Sequence, residues 1–448
     1  MAKYESDLPW KLRAPQQLAV PHILKVGEGV IEHSMTVSKW ISFLSTTILF
    51  WVSYVSKWIS FLSTTILFWV SYVLPYLPCL ELASVNNNTV LGILCFTLFT
   101  LFGTRFSRAF TANFVFGDSL VEVGNNNYIP SLSRANNVPN LGIDFGWPTG
   151  RFTNRRTIVD IIGQELGFET FTPPHLAPSS TGPMILRGVN YASGSAGIFN
   201  NTGKIFLARI NLVAQVDNFA NNRQDIIDMI GLPAAMDLLR TSIFSITIGS
   251  NDFINNYFTP VLSDSGHRLI PPELFVGSMI SSYRLQLTRL YNLGARNIVV
   301  VNVGPIGCIP YQRDSNPSLG SNCANSPNLM AQLFNNQLRG LITELGAQFQ
   351  NSNFLYANAY HIVQDIVQNH ASYGFENADS ACCHIAGRHG GLFPCGPPSR
   401  VCVDRSKYVF WDSFHPSEAT NSIIARRLMD GDANDIWPIN IRELERFN

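Results

Sequence analysis

Phe114-Val-Phe-Gly-Asp-Ser-Leu120 is a short apolar run that breaks at Gly117 and delivers a serine just past the break. A strand that ends this way leaves the next side chain at the carboxyl edge of a sheet, where parallel α/β sheets bind their ligands. On either side of it, short apolar runs alternate with amphipathic stretches of helical length. Val189–Ala192, Ile243–Ile248, Asn297–Val303 and Phe354–Ala357 read as further strands. Thr157–Leu166, Phe206–Ile230, Pro233–Thr241, Pro272–Leu293, Leu329–Phe349, Tyr360–Asn369 and Ser417–Leu428 read as helical, the second holding one or two helices. Gly294 suits a helix C-cap and Ser417 an N-cap. Residues 371–407 read as a cysteine- and glycine-rich loop. The alternation predicts a three-layer α/β/α sandwich around a mainly parallel sheet of about five strands.

That topology gathers particular side chains. Ser119 follows the first strand, Gly194 the second and Asn251 the third, while His415 follows the apolar run Tyr408–Trp411. All four fall on one sheet edge. A serine hydroxyl attacks an ester only with a base to take its proton, a group to orient the base and donors for the oxyanion. Asp412 stands three residues before His415, close enough to orient an imidazole. Asn190-Tyr-Ala-Ser-Gly-Ser-Ala-Gly197 and Gly249-Ser-Asn-Asp252 offer backbone and amide donors. Each residue alone has a plainer reading: Ser119 as a helix cap, Asp412 and Asn251 as turn formers, His415 as one of nine histidines. The set together favours chemistry. No Gly-x-Ser-x-Gly occurs, so the serine does not sit on a strained nucleophile elbow.

The motifs GDSLVEVGNNNY (117–128), PTGRFTN (148–154), GVNYASGSAGI (188–198), IGSND (248–252), GARNIVVVNVGPIGC (294–308) and YVFWDSFHPSEATN (408–421) occur in this order. In content and order they resemble the plant secreted GDSL esterase/lipases of the SGNH hydrolase superfamily, from about Asn113 to the C-terminus. The resemblance implies a flavodoxin-like sandwich and a secreted serine esterase/lipase acting on small-molecule or lipid esters. It implies Ser119 as nucleophile, His415 as base and Asp412 as its partner. The oxyanion donors would be the N–H of Ser119, the N–H of Gly194 in preference to Gly197, and the Asn251 amide. It implies no metal or organic cofactor. Acyl transfer to an alcohol, as in family members that polymerise cutin, would use the same triad. A non-catalytic binding protein on this fold is the reading that the intact triad opposes. Departures from the family pattern are Arg155 for a glycine, Glu122 for an aspartate and Ser195 for a small apolar residue. Arg151 reads as an ion-pair partner that orders its loop.

Charge balances, with 31 basic and 31 acidic residues and no basic stripe, which argues against a nucleic acid partner. Charged residues make up 14% of the chain against about a quarter in ordinary proteins. Residues 105–448 suffice for one hydrolase domain. Residues 1–104 differ from the rest: Val37–Tyr54 is repeated letter for letter as Val55–Tyr72, and a third apolar run covers Val90–Phe102. Two identical copies point to a recent duplication or a gene-prediction fault, since repeat folds stack several diverged units. The region reads as a secretion signal that is removed, or else as a membrane anchor, with Trp58–Leu80 long enough for a core of ~30 Å. Cys308, Cys323, Cys382, Cys383, Cys395 and Cys402 are an even set, as disulfides in an oxidising compartment require, with 15 connectivities open. Adjacent Cys382 and Cys383 are expected to take different partners. His384 and His389 among them raise a zinc site as the rival reading, whose spacing matches no common finger. Asn200-Asn-Thr202 is a glycosylation acceptor at Asn200.

Overall fold

The structure, a computed structural model, describes residues 110–258 and 270–447. The duplicated run, and with it the signal or anchor, lies outside the described residues. Arg105–Asn448 forms one compact unit. Its centre is a five-stranded sheet of β1 (Asn113–Gly117), β2 (Ile243–Thr247), β3 (Asn297–Val301), β4 (Asn353–Ala357) and β9 (Ile436–Trp437), in the order β1-β2-β3-β4-β9. The first four are parallel and β9 closes the edge antiparallel. β1 and β3 are buried along their whole length, so their sequences are continuous apolar runs with no alternation.

Helices cover both faces. On one lie α2 (Leu212–Ile230), α3 (Leu232–Arg240), α4 (Pro272–Asn292) and α5 (Asn325–Gln348). Phe219 of α2 packs edge-on against Phe114 and Phe244 from β1 and β2, at centroid distances of 5.3 and 5.4 Å. On the other lie α1 (Ile158–Glu165), α6 (Ala359–Gln368), α7 (Glu418–Asp430) and α8 (Ile441–Phe447), with Val159 of α1 against Val115. The three-layer sandwich is the architecture that the alternation predicts. Gly294 follows α4 at φ 116°, in the left-handed region, and the Ser417 hydroxyl caps α7 by accepting from Thr420 N–H.

Two expected sheet members sit elsewhere. Val189–Ala192 exchanges backbone bonds with the free edge of β1, Val115 N–H to Val189 O and Tyr191 N–H to Val115 O. It forms only an isolated bridge there. The Asn190 side chain accepts from Ala192 N–H and donates to Val121 O, which turns the chain away from the ladder. The run Tyr408–Trp411 gives β8 (Tyr408–Phe410), which pairs with β5 (Asn377–Ala381) in a separate two-stranded sheet. Residues 371–407 are thus not all loop. They also hold β6 (Cys383–His384) and β7 (Arg400–Val401), paired antiparallel. The fifth main-sheet strand, β9, is only two residues long and has no readable pattern of its own.

The cysteines pair as Cys308–Cys323, Cys382–Cys402 and Cys383–Cys395. The adjacent pair does take different partners. With all six sulfurs engaged, no thiolate remains here for zinc, and among the described residues no cluster fit for a metal occurs.

Candidate active site

Gly117 ends β1 where no side chain fits. A Cβ there would lie 2.4 Å from Thr247 O of the neighbouring strand. Gln215 on α2, fully buried, brackets the same residue, accepting from Gly117 N–H and donating to Gly117 O, both at 2.8 Å. The next turn carries Asp118 and Ser119. Asp118 Oδ1 accepts from Leu120 N–H at 3.0 Å and so shapes the turn. Burial pushes the Asp118 carboxyl up to about 7, opposed by that N–H and by the nearby His415.

The histidine arrives from the other end of the chain. Phe410 and Pro416 bridge across the turn between them, and Trp411 N–H bonds His415 O. The turn is backed by the disulfide-tied segment: Cys383 N–H donates to Trp411 O and the Ser413 hydroxyl to Phe393 O. His415 Nε2 lies 2.8 Å from Ser119 Oγ, across 296 residues of sequence. His415 Nδ1 lies 2.8 Å from Asp412 Oδ1 and 3.0 Å from Oδ2. Asp412 also accepts from the N–H groups of Phe414 and His415. With Nδ1 donating to the carboxylate, Nε2 is the acceptor that faces the hydroxyl.

Asn251 follows β2. Its amide nitrogen donates to Ala196 O at 2.9 Å and its carbonyl accepts from the Asn255 amide at 2.7 Å. One amide hydrogen therefore stays available, and Asn255 fixes which way round the amide lies. Ser119 N–H has no hydrogen-bond partner among the described residues. Gly194 departs from expectation, because its N–H is committed to the Glu122 carboxyl group. The unpartnered N–H in that turn belongs to Ser195, which lines the cleft with Ser119 and is held at φ 63°.

Several residues that no local pattern announces hold these parts in place. Asn125 donates to the carbonyls of Asn190 and Ala192, and Asn126 to those of Ser133 and Gly194. Asp252 accepts from Ile198 N–H, Phe199 N–H and the Thr202 hydroxyl, tying the third and fourth motifs together. Glu122 and Asp252 are both buried, which pushes their carboxyls up to about 8 and about 6. Arg151 makes a bidentate pair with Asp160 of α1 at 2.7 and 2.8 Å and does not reach the triad. Asn200 is exposed, whereas Thr202 is buried.

A half-buried serine joined to a buried histidine and aspartate at the carboxyl end of a parallel sheet defines the hydrolase class of α/β sandwich. Residues 114–428 match the family model for GDSL-like lipase/acylhydrolases. The chain is 60% identical over 355 residues to GDSL esterase/lipase At4g16230 of Arabidopsis thaliana, covering 79% of this chain and 95% of that one. It is 48% identical to GDSL esterase/lipase At3g50400 of the same plant, covering 77% and 95%. GDSL esterase/lipase At2g23540 is similar at 49%, covering 74% and 87%. The chain belongs to the GDSL lipase/acylhydrolase family, whose members hydrolyse carboxylic esters.

Proposed function

We propose that the protein is a secreted serine esterase/lipase that works through an acyl-enzyme on Ser119. His415 Nε2 takes the hydroxyl proton as Ser119 Oγ bonds the acyl carbon. Asp412 holds the imidazole in the right tautomer and stabilises its charge. The oxyanion is met by Ser119 N–H, by the free hydrogen of the Asn251 amide and by the Gly194–Ser195 turn, where the Ser195 N–H is the unpartnered one. Collapse breaks the carbon–oxygen bond to the alcohol, which leaves with the proton from His415. Water, deprotonated by the same nitrogen, then releases the acid and frees Ser119. No step needs a metal or cofactor.

The observation that carries this reading is the relay from Ser119 Oγ through His415 to Asp412, with both links at 2.8 Å. Secretion is supported by the three disulfides, which persist in oxidising compartments. Glycosylation at Asn200 would have to precede folding, because Thr202 is buried. Among the described residues no helix is long and apolar enough to cross a membrane. The test is kcat on a short p-nitrophenyl ester, with circular dichroism as folding control. Ser119→Ala should lose at least about 10⁴-fold. A folded variant that keeps more than about a tenth of wild-type turnover refutes the mechanism.

A further inference from the structure

The cleft beside Ser119 continues inward. The whole cavity, from the mouth beside Ser119 to the layer between the sheet and α1, α6 and α7, has about 260 Å³. Val301 forms part of its floor, and Ile158, Val363, Val409 and Ile424 line it deeper in. The polar side chains that reach this inner arm are mostly spent. The Asn302 amide donates to the Tyr356 hydroxyl at 2.7 Å and to Asn358 Oδ1 at 2.8 Å, and its carbonyl accepts from Tyr360 N–H. The Thr420 hydroxyl donates to Val409 O at 2.7 Å. Only the Thr247 hydroxyl is left, and a stable water needs at least two polar partners. The arm therefore suits hydrocarbon. The outer part of the cleft is mixed: Ser133, Ser250 and Asn255 are half-buried there, beside the exposed side chain of Leu132.

We propose that the preferred substrates carry a medium-length, unbranched acyl chain of no more than about eight carbons, which enters this inner arm while the alcohol stays at the solvent-facing mouth. The inference rests on the acyl-enzyme reading of the site. Its direction follows from the order of steps. The alcohol departs first and water must then reach the ester of Ser119. An acyl chain in the closed arm obstructs neither movement, whereas an alcohol chain lodged there would have to escape past the acylated serine. Its length follows from volume. At ~30 Å³ per group, the volume of a water in the liquid, the whole cavity, mouth included, holds about eight groups, which is the upper bound for the arm.

The experiment is a series of p-nitrophenyl esters from acetate to palmitate on wild type, Val363→Phe and Val363→Ala. A matching series of alkyl acetates from ethyl to decyl varies the alcohol. In wild type, kcat/KM should rise about fourfold per added methylene until the arm is full, at octanoate or a shorter chain, then fall. Val363→Phe should cut the octanoate-to-acetate ratio at least about tenfold, the value of two lost methylenes, and Val363→Ala should move the optimum to a longer chain. The alkyl acetate ratios should be the same in all three proteins. A wild-type optimum at acetate, an acyl ratio indifferent to Val363, or a response confined to the alcohol series overturns the inference. Labelling with a small ethyl fluorophosphonate separates the two levels. Labelled enzyme with a flat acyl series overturns this inference alone, whereas failure to label Ser119 overturns the acyl-enzyme reading and this inference with it.

Discussion

Replacing Glu122 by glutamine should flatten the loss of stability with rising pH. Glu122 is fully buried, and burial pushes its carboxyl from 4.5 up to about 8 even though it accepts from Asn126 and Gly194 N–H. The sign follows from linkage. Below about pH 4.5 both folded and unfolded chains hold the proton, and no stability is lost. As pH rises through the window from 4.5 to about 8, the unfolded chain ionises while the folded one does not. Stability then falls by about 1.4 kcal/mol per pH unit, and the loss levels off above about 8. Between about pH 5 and about pH 7.5 this single group removes about 3 kcal/mol. Asp118 and Asp252, pushed up to about 7 and about 6 by burial, titrate in the same window, but they remain in both proteins and cancel in the comparison. Glutamine does not titrate. Its NH₂ must face one of the two backbone donors, which costs about 1–3 kcal/mol at every pH. Absolute stability is therefore the wrong readout, and the slope is the right one. Urea midpoints of wild type and Glu122→Gln across this range measure it. The same slope in both proteins would refute the reasoning, because Glu122 would then be charged in the fold.

Other changes probe separate links. Asn255→Ala should lower kcat roughly tenfold with little change in KM, and Asn251→Ala roughly a hundredfold, since the first only aims the donor that the second removes; equal losses would contradict the assignment. The paired change Cys308→Ser with Cys323→Ser opens a bridge of sequence separation 15 and should cost about 3 kcal/mol, read from the urea midpoint. Ser195→Gly should raise Tm by the equivalent of about 1 kcal/mol, because φ 63° is strained for serine and ordinary for glycine.

The sequence makes Ser119, Asp412 and His415 legible as a set because each stands at the end of a local pattern. Ser119 follows an apolar run that a glycine breaks, and His415 sits three residues after an aspartate at the end of another. The four long parallel strands are equally readable, being buried on both faces. What cannot be read is partnership. Val189–Ala192 and Tyr408–Trp411 are apolar runs as good as β4, yet one is deflected by the Asn190 side chain and the other is drawn into its own small sheet. Glu122 lies 72 residues from the Gly194 N–H that it captures, and Gln215 lies 98 residues from Gly117. Contacts of that separation leave no periodicity behind. They explain why the Gly194 donor, reasonable from its motif, meets a carboxyl group already in place.

The site is built without a strained elbow, and its cost falls on buried polar groups instead. Three carboxyls, Asp118, Glu122 and Asp252, lie fully out of solvent around the nucleophile turn, each held away from its ordinary pKa by burial. Such groups destabilise a fold unless each is fully bonded. Glu122 and Asp252 are occupied by backbone N–H groups, among them those of the loop that carries the proposed Ser195 donor. The arrangement fixes that loop before substrate arrives, so reorganisation is not left to the transition state. An apolar replacement such as Glu122→Met would remove the burial penalty but leave the Asn126 and Gly194 N–H groups unpaired, at about 1–3 kcal/mol each, and release the Gly194 turn. Turnover should then fall at every pH and stability most clearly at about pH 5, where the wild-type carboxyl carries little of that penalty; a Met variant more stable than wild type at about pH 5 would contradict this account.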